Sequence, residues 1–153
     1  MMFLFDMALS TPTPLVSPVP VYDTPVSELW RFLPLGYIVT ILIETPVLLI
    51  GLPSKVSIRQ RLLCGLWLTA CTYPIVVLVM PMLFGDWARW QYLLVAEIFA
   101  PVAECTLFWL AFRGRLEMSR SDWATAFLAI IVANLASFGT GEILNYYNWF
   151  GLL

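Results

Sequence analysis

Residues 92–112 read YLLVAEIFAPVAECTLFWLAF, an almost wholly apolar run of 21 residues that carries two glutamates, Glu97 and Glu104. At about 1.5 Å of rise per residue, a helix of this length crosses the ~30 Å hydrocarbon core of a bilayer. A transmembrane β-strand alternates polar with apolar positions over ~10 residues, and this run does not. The stretch therefore predicts a membrane-spanning helix with acidic side chains inside it.

Three further runs are long and apolar enough to cross a bilayer as helices, at 32–52, 62–84 and 124–144. The loops that join the four runs are only nine, seven and eleven residues long. Short loops place consecutive helices antiparallel to one another. The sequence therefore predicts an all-α polytopic membrane protein: an antiparallel four-helix transmembrane bundle over residues 32–153, which ends in a short aromatic C-terminal tail.

The composition of the whole chain agrees with a membrane protein. Of its 153 residues, 61% are hydrophobic and 12% are charged, and its mean hydropathy is +0.85. Soluble domains are usually about 45–50% apolar and about 25% charged. A net charge of -2 argues against nucleic acid as a partner. The predicted partners are the lipid bilayer and either further copies of the chain, in a homo-oligomer, or a larger membrane complex.

Several kinds of chemistry are excluded by what the sequence lacks. The chain contains no histidine, which removes Ser-His and Cys-His nucleophiles and most zinc chemistry. Its three cysteines lie in apolar runs without C-x-x-C spacing and are typical of small buried hydrophobes. There is no Gly-rich phosphate loop and no Walker-type lysine. These absences argue against an enzyme without excluding one, and they predict no cofactor other than a hard cation as a candidate ligand.

The first 31 residues differ from the rest of the chain. Five of the eleven prolines lie within the first thirty residues, a spacing that favours an extended polyproline conformation. The segment lacks the basic start and the clean cleavage site of a signal peptide. We expect residues 1–31 to form a Pro-rich arm at the extracytoplasmic surface or interface.

The basic residues predict how the bundle is oriented. Loops 53–61 and 113–123 carry three Lys or Arg residues each, whereas the second loop and the N-terminal arm carry one each. By the positive-inside rule, these two loops face the cytoplasm and both termini lie outside a cell or inner membrane. Tyrosine and tryptophan residues, Tyr92 among them, fall at the predicted outer interface, as in an aromatic belt.

Four carboxylates lie inside the predicted spans, and no Lys, Arg or His accompanies them. A charged carboxylate at mid-membrane costs at least ~2.5–3.5 kcal/mol on insertion scales. Each one must therefore bind a proton or be neutralised by a cation. The candidate ion- or proton-binding residues are Glu44, Glu97, Glu104 and Glu142. A bound metal cation would use the first three.

The depths of these carboxylates form a ladder. Glu44 and Glu104 each lie twelve residues from the outer start of their helix, which is ~18 Å. Glu97 lies ~8 Å and Glu142 ~3 Å below the outer surface. The ladder runs from the outer surface to just past mid-membrane, so it predicts a site reached from outside rather than a continuous pore.

Polar side chains follow the same helix faces as the carboxylates. Stripes at helical spacing predict that polar and small residues line the bundle interior and bring Glu44 close to Glu104. Prolines near both glutamates would free backbone carbonyls, as in sites for hard cations or water-mediated proton relays. The ladder Ala133/Ser137/Gly141 predicts close helix packing. The supporting polar residues are Tyr37, Thr40, Thr72, Tyr73 and Asn134.

Three functions are compatible with these features. The first is a small transporter, channel or sensor whose buried carboxylate cluster binds or translocates a proton or cation that enters from the outer face. The second is a non-catalytic accessory or scaffold subunit of a larger membrane complex. The third is an intramembrane enzyme acting on a lipid or isoprenoid, although no nucleophile signature supports it. A membrane glutamate can also be no more than a protonated fastener between helices, worth ~0.6–2 kcal/mol.

Overall fold

The computed structural model describes residues 26–84 and 87–147. Within these ranges the chain is helical, with no strand. A π-helical turn, Ile75–Val79, joins the second helix to the third, so that Ile58–Phe84 forms one span. The helices are α1 (Val26–Gly51), α2 (Ile58–Pro74), α3 (Met80–Phe84), α4 (Arg89–Phe112) and α5 (Arg120–Tyr146).

Four segments of these helices are long and apolar enough to cross a membrane, which confirms the predicted all-α membrane protein with four spans. The spans are Leu33–Gly51, Ile58–Phe84, Trp90–Phe112 and Arg120–Leu144. The predicted arm lies outside the described residues up to position 25, as does the end of the aromatic tail from position 148.

The helices extend beyond the apolar runs, and polar capping residues start two of them. α1 begins directly after Pro25, so the last six residues of the predicted arm are helical. α2 begins at Ile58, where Ser57 and Gln60 form a capping box that satisfies free backbone N–H groups. Ser119 and Asp122 exchange the same pair of bonds at the start of α5. Hydropathy does not register such caps.

The four spans stand in a ring. α1 packs against α2 and α5, and α4 also packs against α2 and α5. α1 is therefore diagonal to α4, and α2 is diagonal to α5. Every span thus turns one face toward a common interior.

The interior is apolar on both sides of a polar layer. The larger apolar cluster includes one fully buried side chain from each span: Leu48, Leu68, Phe108 and Ile130. A smaller cluster contains Met80, Tyr92 and Ala96. The level between the two clusters holds the polar layer, which consists of the buried residues Glu44, Thr69, Thr72, Glu104 and Asn134 and the half-buried Ser137.

Both predicted basic loops lie at one end of the bundle, here called the basic end, which carries Lys55, Arg61 and Arg113. The Lys55 ammonium lies 2.9 Å from the Asp122 carboxylate and donates to the Glu117 carbonyl at 2.7 Å, so it ties the two loops together. The Arg61 guanidinium donates to the carbonyls of residues 49, 53 and 56, where α1 ends. The assignment of this end to the cytoplasm stays a prediction.

Tyr92 supports the backbone at the π-helical turn. Pro81 has no N–H, and in the π register its missing bond would have gone to the carbonyl five residues earlier, that of Val76. The Tyr92 hydroxyl donates to this carbonyl at 2.7 Å. Tyr92 is only 5% exposed, so its ring packs inside the bundle rather than against lipid, and its level at the outer interface stays a prediction.

Replacing Tyr92 with phenylalanine is expected to lower the free energy of unfolding by about 1–2 kcal/mol, because the Val76 carbonyl loses its partner in a dry environment. Thermal unfolding in micelles and hydrogen exchange of amides 75–84 measure the change. In a Pro81→Ala background the restored N–H should reduce the cost. An equal cost in both backgrounds would contradict this role of the hydroxyl.

Candidate functional site

The first carboxyl of the polar layer is that of Glu44, which projects from α1 and is 3% exposed. The Thr69 hydroxyl, from α2, lies 2.7 Å from its Oε2. The Ser137 hydroxyl, from α5, lies 2.7 Å from its Oε1. One acidic side chain thus joins three spans.

The second carboxyl is that of Glu104, which projects from α4 and is 2% exposed. The Thr72 hydroxyl lies 2.7 Å from its Oε1, and the Asn134 amide donates to its Oε2 at 2.8 Å. Thr72 and Asn134 are themselves buried. Every oxygen of both carboxyls therefore has a hydrogen-bonding partner.

The two carboxyls follow the same pattern. Each lies on one of the diagonal helices α1 and α4, and each contacts one side chain from α2 and one from α5. Each makes one of these bonds within its own helical hairpin and the other to the opposite hairpin. The Ser137 hydroxyl also lies 2.9 Å from the backbone carbonyl oxygen of Asn134. The two halves thus form one polar layer that links all four spans.

The hydroxyls of this layer each have two acceptors. The Thr69 hydroxyl is 2.9 Å from the Gly65 carbonyl, and that of Thr72 is 3.1 Å from the Leu68 carbonyl. A hydroxyl has a single hydrogen and can also accept. It donates to an ionised carboxylate, or it accepts from a protonated carboxyl and donates to its helix carbonyl. The layer can therefore satisfy either protonation state by hydroxyl rotation alone.

Asn134 fixes where a proton sits on Glu104. Its amide nitrogen donates to Glu104 Oε2 at 2.8 Å and to the backbone carbonyl of Ile130 at 3.0 Å. Since this amide nitrogen only donates, Oε2 must remain an acceptor. A proton on Glu104 therefore lies on Oε1, toward the Thr72 hydroxyl.

The polar layer contains no positive charge. None of its hydrogen bonds comes from a basic side chain. In the part of the chain that the structure describes, no three His, Cys, Asp or Glu residues are grouped to hold a metal ion. Hydroxyl and amide hydrogens are thus the groups that face the carboxyls.

The other predicted supporting residues lie apart from the two carboxyls. Tyr37 donates to the Leu66 carbonyl at 3.0 Å, and its ring lies 6.1 Å from that of Tyr73. Thr40 is half-buried and hydrogen-bonds neither glutamate of the layer. Thr69 and Ser137 are not among the supporting polar residues predicted from the sequence. Their spacing, three residues from Thr72 and from Asn134, was the signal that they share a face.

Glu97 and Glu142 do not enter the polar layer. Both are half-buried, and their carboxyls interact electrostatically with each other. Glu97 lines a groove on the outside of the bundle, between α4 and α5. The structure therefore brings together Glu44 and Glu104 and leaves the other two acids outside.

Two helices approach each other closely at Gly65, whereas Gly141 of the predicted small-residue ladder lies in open space. A Cβ atom built on Gly65 would lie 2.9 Å from the Thr45 Cβ and 3.1 Å from its Cα, whereas one on Gly141 has no neighbour within 4 Å. The Thr45 hydroxyl is buried against this contact and has no hydrogen-bonding partner within 26–84 and 87–147. Gly65 lies one turn from Thr69, so the contact sets the distance between Thr69 and Glu44.

The chain matches no protein-family model, no curated protein and no solved structure at a significant level. Any function proposed for the chain therefore rests on the geometry of its own side chains.

Proposed function

We propose that the Glu44–Glu104 layer binds and releases protons within the membrane, as part of a small transporter or sensor. The observation that carries this proposal is the pair of acceptors available to each hydroxyl around the carboxyls. Once the layer is closed, its protonated and ionised states then have the same arrangement of heavy atoms. A layer built only as a rigid fastener has no need of such reversible partners.

A proton fits this layer better than a metal cation does. All four carboxyl oxygens accept hydrogen bonds of 2.7 or 2.8 Å. A cation bound to Glu104 Oε2 would face the hydrogens of the Asn134 amide, which cannot turn away without losing the bond to Ile130. A hard cation needs several free oxygen ligands instead.

Two carboxyls in one hydrogen-bonded layer bind their protons in coupled steps, because each charge raises the energy of the other. Both side chains are almost fully buried. Exchange with water therefore requires the spans to separate, which makes proton binding and helix movement one event. This coupling supports a gated transporter or a sensor over an open channel.

Infrared spectra of the reconstituted protein test the proposal, because a protonated carboxyl has a C=O absorption that a carboxylate lacks. We expect this absorption to change with pH, and Glu44→Gln and Glu104→Gln each to remove part of the change. A Glu117→Gln variant, altered in an exposed loop, is the matched control. Proton flux into vesicles that carry a pH-sensitive dye then separates a transporter from a sensor.

A wild-type spectrum without any pH-dependent carboxyl absorption would overturn the proposal. So would a change whose size is the same in the double variant Glu44→Gln/Glu104→Gln as in the parent. A change that requires Na⁺ or another cation rather than protons would assign the layer to that cation.

A second candidate function is that of an accessory subunit in a larger membrane complex. The groove between α4 and α5 favours this function, because the groove lies on the side of the bundle that faces away from its interior and includes the half-buried Glu97. Mild solubilisation tests the role. A stable homo-oligomer that copurifies with no other protein would contradict it.

A further inference from the structure

The groove between α4 and α5 has a volume of about 760 Å³ and lies on the outside of the bundle. Apolar side chains make up most of its wall, among them Ile98, Val102 and Ile131. Glu97 lies at one end, and Trp109 lies twelve residues further along α4, or ~18 Å along the helix. The groove therefore runs through much of the membrane thickness.

Glu97 is the one acidic or basic side chain among the described residues that line the groove. The hydroxyl of Thr106, which also lines the groove, donates to the Val102 carbonyl at 2.7 Å. Glu97 makes no hydrogen bond to any described residue, and the nearby Glu142 carboxyl is of like charge. A carboxyl in this position is costly in lipid unless a partner compensates it.

Charge determines which occupant fits. A second copy of this chain offers no base at the right depth, because all eight Lys and Arg residues lie outside the four predicted spans. A lipid carries its cationic group at the headgroup level, whereas Glu97 lies ~8 Å below the predicted outer edge of its span. A transmembrane helix of another protein can place a basic side chain at that level.

The end of the groove at Trp109 determines which way round the occupant lies. The Arg113 guanidinium lies 4.4 Å from the centre of the Trp109 ring at the basic end. A second base at that level would be repelled. The occupant therefore carries its base near Glu97, about twelve residues from the level of Trp109, and none beside Trp109.

We propose that this groove binds a transmembrane helix of another membrane protein, through apolar packing and an ion pair between Glu97 and a lysine or arginine of that helix. The proposal rests on the second candidate function and gives its partner a chemistry. It is independent of the Glu44–Glu104 layer.

Synthetic transmembrane peptides test this proposal with the full chain in lipid vesicles. Three leucine-rich peptides differ at one position: lysine at the level of Glu97, lysine at the level of Trp109, or leucine throughout. Energy transfer between a labelled peptide and the labelled protein reports binding. We expect the first peptide to bind about tenfold more tightly than the other two, as one partly desolvated charge pair can provide.

Matched variants assign the effect to the groove. Glu97→Gln should abolish the preference for the first peptide, and Val102→Trp should weaken its binding by filling the groove. Leu42→Trp places the same bulk on an exposed position of α1 and should change nothing. Equal binding of all three peptides, or an unchanged preference in Glu97→Gln, would overturn the proposal. So would a homodimer that Val102→Trp dissociates.

The two candidate functions remain separable in these experiments. Glu44→Gln/Glu104→Gln should keep the peptide preference, because those carboxyls do not line the groove. A native partner whose copurification survives Glu97→Gln would leave the subunit role standing while contradicting this surface. Photocrosslinking from position 102 in native membranes supports the proposal only if the captured helix carries a base and capture falls in Glu97→Gln.

Discussion

Gly65→Ala is expected to lower the free energy of unfolding by about 2–3 kcal/mol. The added methyl group would lie 2.9 Å from the Thr45 Cβ and 3.1 Å from the Thr45 Cα. A flexible side chain could turn aside, but the Cα belongs to the backbone of α1. The two helices must therefore separate, and the separation also strains the bond between Thr69 and Glu44.

Gly141→Ala is the matched control, because a Cβ at that position has no neighbour within 4 Å. An alanine in a helix is favoured over glycine by about 1 kcal/mol, so this variant should be as stable as the parent or slightly more stable. Unfolding in mixed micelles of increasing denaturing detergent gives both values. Equal losses in the two variants would show that the contact at Gly65 does not limit the packing.

Glu104→Leu is expected to cost about 2–3 kcal/mol of stability, whereas Glu104→Gln should cost less than ~1 kcal/mol. Leucine leaves one N–H of the Asn134 amide unpaired in a dry interior. Glutamine places a carbonyl oxygen opposite Asn134 and donates from its amide to the Thr72 hydroxyl, which then donates to the Leu68 carbonyl. Glutamine thus reproduces the bonds of a protonated carboxyl.

The order of these two stabilities reports the resting charge of Glu104. A glutamine variant as unstable as the leucine variant would mean that the parent carboxyl is ionised at rest, whereas a small loss means that it is protonated at rest. Glu44→Gln provides an internal comparison, since both partners of Glu44 are hydroxyls and either can turn. The same unfolding assay, repeated at two pH values, separates a loss of hydrogen bonds from a loss of charge.

The sequence predicts the four spans and the equal depth of Glu44 and Glu104, because hydropathy and rise per residue depend only on position along the chain. It does not predict which polar side chains meet. Thr69 and Ser137 belong to the polar layer because two helices turn particular faces inward, and that rotation depends on packing across the whole ring.

Glu97 shows the same limit. It lies seven residues from Glu104, a separation that places two side chains on nearly one face of a straight helix. Yet Glu104 points into the bundle and Glu97 lines the outer groove. Pro101 lies between them inside α4, and proline is a common cause of helix bending. The boundary between the inner and outer faces is set by where α5 packs, which sequence periodicity does not specify.

Gly65 and Gly141 cannot be told apart from the sequence, since both occur among small residues at helical spacing. Only the neighbouring helix decides. Gly65 faces Thr45 across the α1–α2 contact, whereas Gly141 faces no other helix. The helix starts at Ser57 and Ser119 are different: their capping residues are readable in the sequence but invisible to a hydropathy window.

The division of hydrogen bonds between the two hairpins has a consequence for biosynthesis. A chain of which the ribosome has made only α1–α3 can form the bond between Thr69 and Glu44 but lacks Ser137, the partner of the second Glu44 oxygen. The half-made protein therefore presents unsatisfied polar groups to lipid until its second hairpin inserts. Insertion of the second hairpin is therefore the step that removes these groups from lipid.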